Sequence, residues 1–213
     1  MTAREQPLPA HDDLHPARKA SISRDDLLAA ALALIGPHRS VSTLSLREVA
    51  NSFYRQFRDM DELTVALIDL AGRSLRTIIG QARLRAADSN RGVIRLSVET
   101  FMEQLRADDR LMHVLLREGT AGSDAFKQAV DRELGYFEEE LKADLVRLAA
   151  LDGASLYEPA LAAKAITRLV FAMGGSAIDL PEERDPELIE QMSQMIRMII
   201  TGARALARHP VKA

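Results

Sequence analysis

The stretch SLREVANSFYRQFRDMDEL, residues Ser45 to Leu63, decides how this chain is read. Ser45 and Glu48 form a capping box, each side chain satisfying an orphan backbone donor at a helix start. Asp59 and Glu62 repeat that start signal further on. Between them, Phe53 and Phe57 stand four residues apart and so share one helical face, which leaves Tyr54, Arg55 and Arg58 to point elsewhere. The plain alternative is an ordinary amphipathic turn. Two short helices back to back suggest a helix-turn-helix, but the turn between crossed helices normally takes about 3–4 residues and often a glycine. Here Val49-Ala50 runs directly into Asn51-Ser52.

Outward from this stretch the charge is uneven. Residues 17–58 carry seven basic side chains (Arg18, Lys19, Arg24, Arg39, Arg47, Arg55, Arg58) against three acidic ones (Asp25, Asp26, Glu48), a net +4. From Asp59 onward there are 20 basic and 25 acidic residues, a net −5. A basic front on an acidic body suits a protein that meets phosphate at one end; scatter in a charge-rich chain gives the same count. The chain has 213 residues, no cysteine and no tryptophan, and 47% hydrophobic residues of which few are aromatic. That length permits a sizeable core. The missing cysteines exclude disulfides and thiolate metal sites and fit a reducing compartment. No apolar run reaches the roughly 18 residues of a membrane span and no signal peptide is evident, so a cytoplasmic protein with no membrane partner is expected.

Periodicity predicts an all-α fold of about nine helices. Residues 1–20 are polar, with three prolines, and read as a disordered arm. Ser23 caps a helix to about Ile35, stopped by Gly36-Pro37. A long helix is expected over Asp61 to Ala87, another over Arg91 to Arg106, and a short one over Asp109 to Glu118. Ser123 caps a further long helix to Leu151, before the turn Asp152-Gly153. Pro159 and Pro186 occupy first-turn positions of two last helices. The expected domains are the arm 1–20, a helix-turn-helix three-helix domain over 21–60, and a ligand-binding and dimerisation domain over 61–213.

The runs TLSLREVA and NSFYRQFRDMDEL resemble the DNA-binding domain of the TetR family of bacterial repressors, and within it the fatty-acid-responsive FabR/DesT-like subgroup. The segment LLREGTAGSDAFKQAVDREL, Leu115 to Leu134, resembles that subgroup too. The resemblance implies a dimeric repressor of fatty-acid genes (unsaturated fatty acid or desaturase genes) on a palindromic operator. It implies Tyr54 as a phosphate contact, while many relatives carry a lysine where this chain has Met60. Phosphate and base contacts are expected from Lys19, Thr43, Ser45, Arg47, Asn51, Ser52, Tyr54 and Arg55, with base reading near Asn51 and Ser52 at the start of the recognition helix. Subgroup members carry about seven further residues between the two halves, longer than a bare turn, so a gap in the chain is expected at the Ala50–Asn51 junction. A direct join would let one helix run from Leu46 to Phe57 and prevent the usual crossing. The protein would then be a helical acyl-lipid-binding or interaction protein lacking DNA binding.

The same resemblance implies a long-chain acyl-CoA or acyl-carrier-protein ligand as effector, with no cofactor. Large side chains suited to an apolar pocket are Phe101, Leu105, Leu116, Phe126, Val130, Phe137 and Phe171, which serve equally as plain core. Arg117 and Arg132 are candidate partners for the ligand's polar head, or else pair with Glu118, Asp131 or nearby carboxylates. Ala162, Ile166, Leu169, Met192, Met195, Ile196 and Ile199 on the last two helices are expected to form the dimer interface, since half-site reading calls for a two-fold; packing inside one subunit is the alternative. Enzyme signatures are absent: no phosphate-binding glycine loop, no HExxH, no ExxH pair, and a lone His113. No enzyme activity is expected.

Overall fold

The computed structural model describes residues 22–34, 53–86, 92–107, 114, 116 and 123–208. These residues form six α-helices of eleven residues or more, one short helical turn and one 3₁₀ turn, with no strand among them. Of the nine helices expected, the one beginning at Ser45 lies outside the described residues. The one over 109–118 is represented only by Val114 and Leu116, both helical. The expected gap at Ala50–Asn51 also lies outside them.

Helix α1, Arg24–Leu34, starts where the sequence placed it. The Ser23 amide donates to Asp26 Oδ2 at 2.9 Å, and the Asp26 amide donates back to Ser23 Oγ at 3.1 Å. Reciprocal capping of this kind satisfies donors that the first turn leaves open. Leu27, Leu28 and Ala31 bury the inner face. The turn α2, Phe53–Gln56, leads through buried Phe57 to α3, Met60–Ala86. There the Glu62 amide donates to Asp59 Oδ1 at 2.8 Å and the Arg58 amide donates to Glu62 Oε2 at 2.9 Å, which fixes the start.

At 27 residues, α3 extends about 40 Å, a rise of about 1.5 Å per residue. Leu63, Leu67, Ile68, Ala71 and Leu75, at three- and four-residue spacings, are fully buried along it. It packs on α1 and on helices of the rest of the molecule within one continuous core.

Four more helices complete the body: α4 Val93–Ala107, α5 Asp124–Leu151, α6 Pro159–Ala177 and α7 Asp185–Arg208. The 3₁₀ turn Glu182–Arg184 precedes α7. Ser123 is the N-cap of α5, its Oγ accepting the Phe126 amide at 3.4 Å, and Pro159 stands in the first turn of α6. Packing runs in a closed circuit, α3 on α4, α4 on α7, α7 on α6, α6 on α5 and α5 back on α3. Such a ring encloses a centre that five helices must fill jointly. No described helix is long and apolar enough to cross a membrane.

Because α3 carries the core of both ends, truncating it at Leu67 is expected to destabilise the fold by about 2–5 kcal/mol, the usual range for a buried Leu→Ala. Urea denaturation of Leu67→Ala followed by circular dichroism measures this; a loss below about 1 kcal/mol would contradict the packing described.

Candidate functional site

Two features stand out, a polar head at the start of α3 and an apolar cavity inside the ring. In the head, Phe57 is the anchor, 2% exposed, and Tyr54 stands at the surface, 71% exposed. The Arg24 guanidinium lies 4.5 Å from the Phe57 ring centroid. Its Nη1 is 3.5 Å from the Gln56 carbonyl and 3.5 Å from Glu62 Oε1. Gln56 Nε2 donates in turn to the Ile22 carbonyl at 3.3 Å. One arginine thus ties the start of α1, the α2 turn and the start of α3 together. Each contact is exposed and modest, with cation–π contacts at such sites contributing about 0.5–1 kcal/mol.

With Phe57 buried, Tyr54 and Arg58 stand at the surface, while the side chain of Phe53 lies outside the described residues. Arg55 lies in α2, with its side chain outside the described residues. Lys19, Thr43, Ser45, Arg47, Asn51 and Ser52 lie outside them as well. The Glu62 carboxyl is held below the usual carboxylate range, chiefly because it accepts the Arg58 amide and then the Arg58 side chain. Asp26 is lowered in the same way by the Ser23 amide and hydroxyl.

Below the head, α3 is fastened to α5 by polar contacts at successive levels. Ser123 Oγ donates to Asp61 Oδ1 at 3.0 Å, and Arg132 Nη2 donates to Asp69 Oδ1 at 2.6 Å. Arg76 pairs with Glu133 and lies 3.6 Å from Glu140. Arg132 is thus engaged by a carboxylate of α3, while Asp131, its expected neighbour in a pair, binds Arg168 at 3.2 Å. Glu133 is only 3% exposed, and a Cβ on Gly72 would collide with its carboxylate. That glycine opens the space in which a buried acid can meet Arg76.

The cavity measures about 140 Å³. Ile94, Ser97, Val98 and Phe101 of α4 face Phe137, Leu141 and Leu145 of α5 across it. Ile166, Val170 and Phe171 of α6, Ile196 and Ile200 of α7 and Ile79 of α3 complete the wall. Three phenylalanines meet at one side: Phe137 and Phe171 pack edge to face at 5.2 Å, and Phe101 lies 6.3 Å from Phe171. Gly174 leaves room for the Phe101 ring, where any Cβ would intrude. Polar groups are few: Ser97, Thr167 and Asp144. The buried Ser97 hydroxyl has no hydrogen-bond partner in the structure.

Of the expected pocket residues, Phe101, Phe137 and Phe171 line this cavity. Leu105, Phe126 and Val130 are buried in the core without lining it. Leu116 is half-buried beside Gly174 and Gly175, and Arg117 lies outside the described residues. The expected interface residues divide. Met192 is fully buried within the single chain, Ala162 is nearly so, and Ile166 and Ile196 face the cavity. Leu169 and Ile199 are half-buried and Met195 is exposed. Sequence reasoning passed over Ile94, Ser97 and Ile200 as pocket residues, and Leu161 and Met198 as exposed apolar side chains. The helical faces were readable, but not which of them look inward.

No family model matches the sequence. Solved structures with the same fold include a protein from Pseudomonas aeruginosa PAO1 assigned as a transcriptional regulator, with TM-score 0.62, 18% identity, 87% of this chain and 92% of that one covered. NemR of E. coli, in its reduced form, aligns with TM-score 0.59 and 20% identity over 83% of this chain and 96% of that one. RolR in complex with resorcinol aligns with TM-score 0.56 and 20% identity over 89% and 95%. At these identities the likeness establishes the fold, one shared with helical transcriptional regulators over nearly their whole length.

The depressed Glu62 carboxyl makes the head sensitive to acid. A group whose folded pKa lies below its unfolded value of 4.5 stabilises above that pH, and the contribution is lost as pH falls through the folded value. Glu62→Gln is therefore expected to melt below the native protein at pH 7, with the difference beginning to close below pH 4.5. Thermal melts across pH 3–7 read this; a difference that is unchanged on acidification would contradict it.

Proposed function

We propose that this chain is a dimeric DNA-binding transcriptional repressor of TetR type, whose cavity takes an apolar effector. The observation that carries the reading is the single helix α3. It runs from the polar head with its exposed Tyr54 into the ring of helices around an apolar cavity. The likeness in fold to transcriptional regulators supports it. A ligand in such a cavity acts only through unequal affinity for the DNA-competent and DNA-incompetent states.

For the effector, the resemblance of the sequence to fatty-acid-responsive repressors favours a long-chain acyl-CoA or acyl-carrier protein, and control of unsaturated fatty acid or desaturase genes. The apolar wall suits an acyl tail. A cavity of about 150 Å³ holds roughly one benzene ring, so a long chain enters only by parting the helices, and that motion supplies the difference between states. The cavity's size supports a second effector reading, a compact ring of the kind RolR carries as resorcinol. Dimerisation is assigned to the outer faces of α6 and α7, where Leu161, Met195, Met198 and Leu206 are exposed. A helical lipid-binding protein without DNA activity is the alternative function.

Gel shift on the chain's own promoter DNA, with oleoyl-CoA, palmitoyl-CoA or resorcinol added, separates these readings. A shift that responds to one of the three is expected. Tyr54→Ala is expected to weaken binding by about tenfold, in the range for a lost hydrogen bond to a charged group. Absence of any shift, with acyl-CoA still bound by calorimetry, would replace the repressor with the lipid-binding alternative. Restoring a seven-residue turn between Ala50 and Asn51 is expected to strengthen the shift if the two are directly joined.

A further inference from the structure

Helix α3 reaches the cavity in two ways, through Ile79, which lines it, and through Arg76, the charged side chain of this helix that touches its Phe137 wall. We infer that Arg76 is the positioning residue that transmits the state of the cavity to α3, through its shared contact with Phe137 and Glu133. The inference rests on the reading that the cavity is the effector site.

The Arg76 guanidinium lies 5.8 Å from the centroid of the Phe137 ring and 4.9 Å from that of Tyr136. Phe137 is a wall of the cavity, packed edge to face on Phe171. Its ring therefore passes a displacement to Phe171 and to Arg76 among its neighbours. Protein interiors pack densely and resist compression. A ligand that presses Phe137 outward therefore moves the guanidinium.

Arg76 cannot move alone. Glu133 is buried, its carboxylate filling the space over Gly72, and breaking a buried pair leaves an uncompensated charge. The pair therefore shifts as a unit, and α3 shifts with it. The other ties between α3 and α5, Arg132–Asp69 and Ser123–Asp61, are more exposed. Exposed polar ties hold weakly, so they yield first. The exposed polar ties at the head end of α3 are the ones that re-form as the helix shifts.

The test needs no known effector. Ser97→Phe places a ring in the cavity in place of a hydroxyl that has no partner, and Val170→Phe does so from α6 should the first variant fail to fold. Amide hydrogen exchange of the full chain is followed for residues 60–71. With Arg76 present, filling the cavity is expected to change that exchange by about fivefold or more, the lower end of coupling between linked sites. In an Arg76→Met background the change is expected to fall below about twofold, and Arg76→Lys, which keeps the charge beside Glu133, is expected to restore part of it. A merely structural Arg76 predicts otherwise: Arg76→Met raises exchange along α3 by itself, and filling the cavity still adds its full effect. That result overturns the inference and leaves the cavity reading standing. No response to either filled cavity with Arg76 in place overturns the cavity reading, and this inference falls with it.

Discussion

The constraint on which this structure depends is that one helix must bury its inner face against both the head and the ring within a single continuous core. Helix α3 buries Leu63 and Leu67 near the head and Ala71 and Leu75 further along, all without solvent contact. Its 27 residues span about 40 Å as one continuous helix. The ring of α4, α5, α6 and α7 closes against this helix, so the cavity is bounded in part by the same element that carries the head.

Polar chemistry along α3 is graded. Near the head, exposed contacts around Glu62 and Asp69 orient the chain at little energetic cost or gain. Deeper, the Arg76–Glu133 pair is withdrawn from water, where it specifies one register of α3 on α5. A buried pair is weak evidence for stability, since apolar residues of similar volume often do as well. Its value here is geometric. Replacing Gly72 by any larger residue would evict the Glu133 carboxylate, so the glycine, the acid and the arginine form one unit spread over two helices.

Much of the fold was readable in the sequence. Ser23 and Ser123 begin their helices by capping a backbone amide locally, and Pro159 by its fixed φ and missing N–H, none needing a distant partner to do so. The long helix expected over Asp61–Ala87 is found at Met60–Ala86, and that expected over Arg91–Arg106 at Val93–Ala107. Local signals fail where a partner is distant. Arg132 finds Asp69 across 63 positions and Arg76 finds Glu133 across 57, and no spacing rule reports such pairs. The pocket was half readable for the same reason. Phe101, Phe137 and Phe171 drew attention by size, whereas Ser97 is distinguished only by a hydroxyl left without a partner when α4 docks. Met192 and Ile196 lie on an apolar face broad enough for an interface, but the first turns into the chain's own core and the second into its cavity.

The most direct test of the proposed repressor is the salt dependence of binding to its promoter duplex, followed by fluorescence anisotropy. A protein that neutralises phosphates releases counterions, so log affinity falls linearly with log salt at a slope of roughly −0.9 per phosphate contacted. Two chains per duplex and a slope corresponding to several contacts are predicted, and Tyr54→Phe is predicted to lower affinity at every salt concentration without changing the slope, since a neutral hydroxyl releases no counterion. Anisotropy that stays flat at low salt, with the chain folded and dimeric, would contradict it.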